Sequence, residues 1–151
     1  MRVTRWLDED EQRSWRAFLD ATVLLFDNLD RQLQQDFGIP HTYYEILVRL
    51  SEAPCRALRM SELAAASRSS RSRLSHAVAR LEERGWVSRE DCPTDKRGQV
   101  ARLTDAGFAA LQAAAPAHVD AVRRFLVDKL TPEQMAALGE ISRIIAADLP
   151  S

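Results

Sequence analysis

The 151-residue sequence predicts a mainly α fold with one small β-hairpin, and three observations carry that prediction. Apolar residues recur at i, i+3, i+4 and i+7 over most of the chain, the period of a helix with one buried face. Two β-compatible stretches, 86–90 and 99–103, flank a run of turn formers at 91–98. Capping residues punctuate the periodic segments: Gly38 and Gly85 stand behind helices, Thr104 and Thr131 ahead of them.

A chain of this length with 46% apolar residues makes one domain with a real core rather than a disordered tract. Two cysteines are too few for a disulfide scaffold. No apolar run approaches the ~20 residues that a bilayer demands. The first ten residues lack the apolar stretch of a signal peptide. The expectation is a soluble, cytoplasmic protein.

Residues 9–36 read as a long amphipathic helix, with Trp15, Phe18, Leu19, Thr22, Leu25, Phe26, Leu29 and Leu33 on one face. Asp8 or Asp10 caps it, and the acidic first turn suits the helix dipole. Pro40 starts a second helix at its first turn, with Tyr43, Ile46, Leu47 and Leu50 as its stripe and Pro54 as its stop. Ser61–Ala66 forms a short helix. The link Ser67-Arg68-Ser69 leads into another helix from about Ser70 to Arg84, with Leu74, Val78 and Leu81 inward. Two helices joined by a turn of about four residues make a helix-turn-helix signal. The hairpin that follows at once, with cations at its tip, makes it a winged helix-turn-helix. Thr104 caps a helix carrying Phe108, Leu111, Ala115, Val119, Val122 and Leu126, which Pro116 should kink or split. Thr131-Pro132-Glu133-Gln134 opens a last helix, with Met135, Leu138, Ile141 and Ile145 as its stripe, ending near Pro150.

Charge is distributed unevenly along this plan. Residues 67–102 hold nine basic and five acidic side chains, a net of +4, and the rest of the chain nets −5. A basic centre between acidic arms is the footprint of a nucleic-acid surface on an otherwise neutral protein.

Four segments then resemble the MarR family of transcriptional regulators. They are Met60-Ser61-Glu62-Leu63-Ala64, Leu81-Glu82-Glu83-Arg84-Gly85-Trp86-Val87, Pro93-Thr94-Asp95-Lys96-Arg97-Gly98 and Leu103-Thr104-Asp105-Ala106-Gly107. The third carries the family's Asp-x-Arg-Gly wing signature at Asp95, Arg97 and Gly98. Arg73 departs from the small residue common there in relatives, which leaves the operator sequence open. The resemblance implies one domain, with 40–103 as a DNA-binding lobe and 1–38 and 104–151 as helices that interlock in a homodimer. It implies a repressor bound to double-stranded DNA at a palindromic operator. It also implies that a small aromatic or phenolic ligand releases that DNA from the junction of the two regions, near which Trp15, Phe18, His41, Tyr43, Tyr44 and His118 fall. The ligand-binding residues themselves stay unassigned.

The residues of the basic centre take roles accordingly. Ser70, Arg71, Ser72, Arg73, Ser75 and His76 occupy the first turns of helix 70–84, where short hydroxyls permit close approach and arginine can fork onto guanine in the major groove. Arg97 reaches into a narrow minor groove, an insertion that the resemblance implies. Asp95 braces that loop through a salt bridge to an arginine, again by resemblance. Arg89 and Lys96 are cast as phosphate contacts, which position without specifying.

Other chemistry finds little footing. No Gly-x-Ser-x-Gly, phosphate-cradling loop or His-Glu-x-x-His is present, so no enzyme is expected. His41, His76 and His118 lack metal-ligand spacing, and no metal or other cofactor is expected. Cys92 lies among acids, which predicts a raised thiol pKa and speaks against redox sensing. Two alternatives stay open: a winged-helix protein-interaction module without operator binding, and a cysteine-based redox-responsive regulator acting through Cys55 or Cys92.

Overall fold

The computed structural model describes residues 3–150, and of Lys96 the backbone alone. Helix α1 (Glu9–Phe37) is opened by a reciprocal cap: the Asp8 carboxylate accepts the Glu11 N–H at 2.8 Å, and Glu11 accepts the Asp8 N–H at 3.0 Å. Gly38 closes it in the left-handed conformation, as expected. Helix α2 (His41–Glu52) begins one residue later than predicted, with Pro40 as its extended N-cap. From α1, Asp30 accepts the first N–H of α2 at 2.8 Å and ties the two helices together.

A 3-10 turn (Pro54–Arg56) leads into β1 (Ala57–Arg59), a strand that the sequence pattern did not suggest. Helices α3 (Met60–Ala66) and α4 (Arg71–Glu83) follow, the latter ended by Gly85. There the Gly85 and Trp86 N–H groups return to the carbonyls of Glu82 and Leu81, satisfying the last turn.

Strands β2 (Val87–Cys92) and β3 (Asp95–Leu103) form the wing, with β3 central between β1 and β2 in an antiparallel sheet. Both strands run further into the expected turn than the composition of 91–98 suggested. Pairing jumps from Asp91↔Gln99 to Cys92↔Asp95, and among the described pairs Arg97 and Gly98 of β3 have no partner across the ladder.

Helix α5 (Asp105–Phe125) runs through Pro116 without being split by it. The proline is exposed, so the carbonyl it leaves unbonded can be met by water. Packing of Leu111, Ala114, His118 and Ala121 holds the helix on both sides of it. The break falls instead at Leu126, before a 3-10 turn (Val127–Lys129) and helix α6 (Pro132–Asp148). Thr131 and Gln134 cap α6 reciprocally at 2.9 and 3.2 Å, as the sequence predicts.

The core lies in the lobe built from α2 to β3, where Leu47, Leu50, Leu63, Leu74, Val78 and Leu81 are buried with Ala101 and Leu103. Leu29 and Leu33 at the end of α1 cover it from one side, and the start of α5 from another. Gly107 lets α5 start against the wing's base: a Cβ there would stand 2.1 Å from the Trp86 carbonyl oxygen.

Candidate nucleic-acid interface

Helix α4 has two faces with different partners. Leu74, Ala77, Val78 and Leu81 are buried, which turns Arg71, Ser72, Arg73 and His76 outward. Ser70 is the N-cap, its hydroxyl accepting the Arg73 N–H at 3.3 Å and lying 3.4 Å from the Ser72 hydroxyl. No acidic residue occupies the first turn. Unpaired N–H groups and arginines therefore present positive potential together at this end.

Ser75 lies in the first turns of α4 as predicted, and it meets Arg89 of β2 there. Both are half-buried, with Arg89 ion-paired to Glu82 and its Nη1 donating to the Ser75 hydroxyl at 3.4 Å. Arg89 thus joins β2 to α4, with about a quarter of its side chain, 26%, left exposed. The physical reason is that β2 lies along α4, so a long side chain from the strand meets the helix before it meets solvent.

On the wing, Arg97 is exposed and lies in the unpartnered stretch of β3. Asp95 accepts the Arg97 backbone N–H at 3.0 Å. Among the described residues it makes no salt bridge, so its observed bracing is of the backbone rather than of an arginine side chain. The expectation for the Lys96 side chain falls outside the described residues.

Arg59, at the end of β1, was not among the predicted residues. It donates through Nη2 to the Thr94 hydroxyl in the wing turn at 2.9 Å. A cleft of about 440 Å³ separates α4 from the wing, lined by Arg59, Arg71 and Ser75 on one side and Asp95 and Arg97 on the other. The one signal that could have found Arg59 is its place directly before the Met60-Ser61-Glu62 segment; its 35-residue reach to Thr94 has no local signature.

Behind α4 lies a larger cavity, about 700 Å³, between α2 and the α3–α4 turn. His41, Glu45, Arg49, Ser67, Arg68 and Arg73 line it, and the Ser67 hydroxyl is buried with no hydrogen-bond partner among the described residues. Of the aromatic residues expected near the junction, His41 and Tyr43 line this cavity, whereas Trp15 and Phe18 stand exposed on α1. Tyr44 and His118 are buried beside it, their rings 4.4 Å apart. His118 meets Gln32 of α1 at 3.1 Å and stands 5.6 Å from the His41 ring. Burial, and then the neighbouring His41, hold its imidazole below the ordinary pKa of 6.5.

Cys92 corrects the sequence reading. Its thiol is held below its ordinary pKa, first by the Thr94 hydroxyl at 3.4 Å and further by backbone hydrogen bonds and the nearby Arg59 charge. The acids of the hairpin do not govern it. Among the described residues, no three His, Cys, Asp or Glu side chains group as metal ligands, and no helix is long and apolar enough to cross a membrane.

Comparison with known proteins places this geometry. A family model described as "MarR family" matches residues 37–98, the stretch from the end of α1 to the wing. Sco3205, a MarR family transcriptional regulator from Streptomyces coelicolor solved in complex with DNA, is 59% identical, with 98% of this chain and 93% of that one covered and a TM-score of 0.96. AbsC, a MarR family transcriptional regulator from the same organism, is 44% identical over 95% of this chain and 97% of that one, with a TM-score of 0.91. The transcriptional repressor MprA of Escherichia coli (strain K12) is 27% identical over 125 residues, which span 83% of this chain and 70% of MprA.

Proposed function

The chain belongs to the MarR family of transcriptional regulators, and from that premise we propose that it works as a homodimeric repressor on a palindromic operator. The observation that carries the DNA reading is the exposed basic end of α4 facing the wing arginine across one cleft. The 59% identical relative solved with DNA supports it. In this reading Ser70, Arg71, Ser72, Arg73 and His76 enter the major groove and Arg97 the minor groove. Lys96 touches phosphate. Ser75 and Arg89 hold α4 at its angle.

Dimerisation through 1–38 and 104–151 is supported by apolar faces that one chain leaves uncovered. Trp15, Phe18 and Leu24 on α1 and Ile141, Ile144 and Ile145 on α6 are exposed. Patches of this kind mark protein contacts. Two-fold pairing sets the two α4 helices on half-sites ~10 bp apart. A small aromatic or phenolic ligand in the cavity between α2 and α4 would release DNA by favouring one spacing of those helices, since differential affinity sets any population shift. No catalytic role is assigned.

Selection of bound duplexes from a random DNA pool, with wild type and Arg97→Ala in parallel, tests the proposal. We expect a palindrome enriched by wild type and bound about tenfold or more weakly by the variant. Arg71→Ala should shift base preference, whereas Lys96→Ala should weaken all sequences alike. No enrichment at low salt by a folded dimer would overturn operator binding.

A further inference from the structure

In the proposed complex the wing reaches DNA through Arg97, whose backbone N–H the Asp95 carboxylate holds at 3.0 Å. Among the described residues, however, no hydrogen bond from the hairpin fixes its guanidinium or the angle of the wing as a whole. Beyond Asp91↔Gln99 the described ladder offers one further pair, Cys92↔Asp95, and gives Arg97 and Gly98 no partner. A two-stranded ribbon standing beyond the three-stranded part of the sheet is only marginally stable by itself. An arginine destined for a groove ~6 Å wide tolerates little movement of the ribbon that carries it.

From the body of the lobe, Arg59 crosses to this ribbon. Its Nη2 donates to the Thr94 hydroxyl at 2.9 Å, and Thr94 in turn lies 3.4 Å from the Cys92 sulfur. Among the described residues this is the one side-chain hydrogen bond joining the wing turn to an element outside the hairpin. Its root is fixed from two directions. β1 pairs Arg59 with Val100 of β3, and the Glu62 carboxylate of α3 accepts the Arg59 backbone N–H at 3.1 Å. The guanidinium therefore leaves a rigid point and ends on the turn, on the same cleft that Arg71 and Arg97 line.

We propose that Arg59 and Thr94 form a latch that sets the wing's angle, making Arg59 a positioning residue for the minor-groove contact of Arg97 rather than a DNA contact of its own. The latch rests on the DNA-binding reading above. It acts before DNA arrives, by reducing the conformations that Arg97 must give up on binding. An exposed hydrogen bond to a charged donor is weak as a stability element. Its larger effect is on how often Arg97 is correctly aimed.

A double-mutant cycle on the duplex enriched by wild type separates the possibilities. Thr94→Val and Arg59→Met each remove one end of the latch, and Thr94→Ser keeps the hydroxyl. In the Arg97 background we expect Thr94→Val and Arg59→Met each to weaken binding by about three- to tenfold, together no more than either alone, with Thr94→Ser near wild type. In the Arg97→Ala background both should be silent, and the salt dependence of Arg59→Met should match wild type. Equal losses with and without Arg97, accompanied by a salt slope lower by about one phosphate contact, would make Arg59 a phosphate ligand and overturn the latch. Silence of Thr94→Val while Arg97→Ala costs affinity would overturn the latch and leave the DNA reading standing. Silence of Arg97→Ala would overturn the wing contact, and the latch with it. Thr94 is exposed on a turn, so Thr94→Val keeps the test open even if Arg59→Met disturbs folding.

Discussion

The lobe from α2 to β3 and the terminal arms carry apolar stripes of similar quality but meet opposite fates. In the lobe, Leu50, Leu63, Val78 and Leu81 are wholly shielded from solvent. On the arms, Trp15 is 50% exposed, Leu24 61% and Ile144 62%. Helical periodicity states that a face wants cover; it does not state whose surface supplies it. The lobe closes on itself because three helices and a sheet surround one centre. α1 and α6 extend past that centre, and among the described residues no other element covers their exposed apolar side chains.

The sharpest way to break this contrast is to charge the arms. Leu24→Glu combined with Ile144→Glu should yield a folded monomer whose operator affinity falls by about 10²–10⁴-fold, the loss expected when two linked half-site contacts become separate. Sedimentation and DNA titration read this directly, and an unchanged dimer would show that those faces are merely solvated.

A core truncation in the lobe sharpens the same comparison from the other side. Leu63→Ala should cost about 2–5 kcal/mol of stability at any protein concentration. If the proposed dimer forms through these faces, Leu24→Ala should instead lower the melting temperature in a concentration-dependent way, because its partner is then a second chain. Thermal melts at two concentrations distinguish them.

The smallest effect belongs to the seam where the two regions meet. His118 titrates near 6.5 when unfolded and lower when folded, so the unfolded chain binds the proton first as pH falls. Its contribution is fully present above pH 6.5 and is lost as pH falls through the lower native value. Chemical denaturation between pH 8 and pH 5 should show wild type losing more stability than His118→Phe; parallel curves would exclude His118 as the source.

Much of this was readable in the residues. Asp8 or Asp10, Gly38, Gly85, Thr104 and Thr131 with Gln134 marked helix ends because a cap is satisfied within three or four residues. The exposed face of α4 followed from the spacing of Leu74, Val78 and Leu81. Pro116 does not split α5, since packing along the helix offsets the local cost of a proline. The wing turn misled, as composition marks a reversal without fixing where pairing stops.

By itself, then, the sequence determined the helices, their caps, the winged order of elements, the basic centre and the family to which they belong, all properties written within a few residues of one another or in short motifs. Only the tertiary structure decided that Ala57–Arg59 is a strand, that Arg89 turns to Glu82 and that Arg59 reaches Thr94. It alone set His118 against Gln32, 86 residues away. Such contacts depend on which elements come to lie side by side, and packing settles that by burying the stripes together, leaving each polar side chain to bond whatever it then faces.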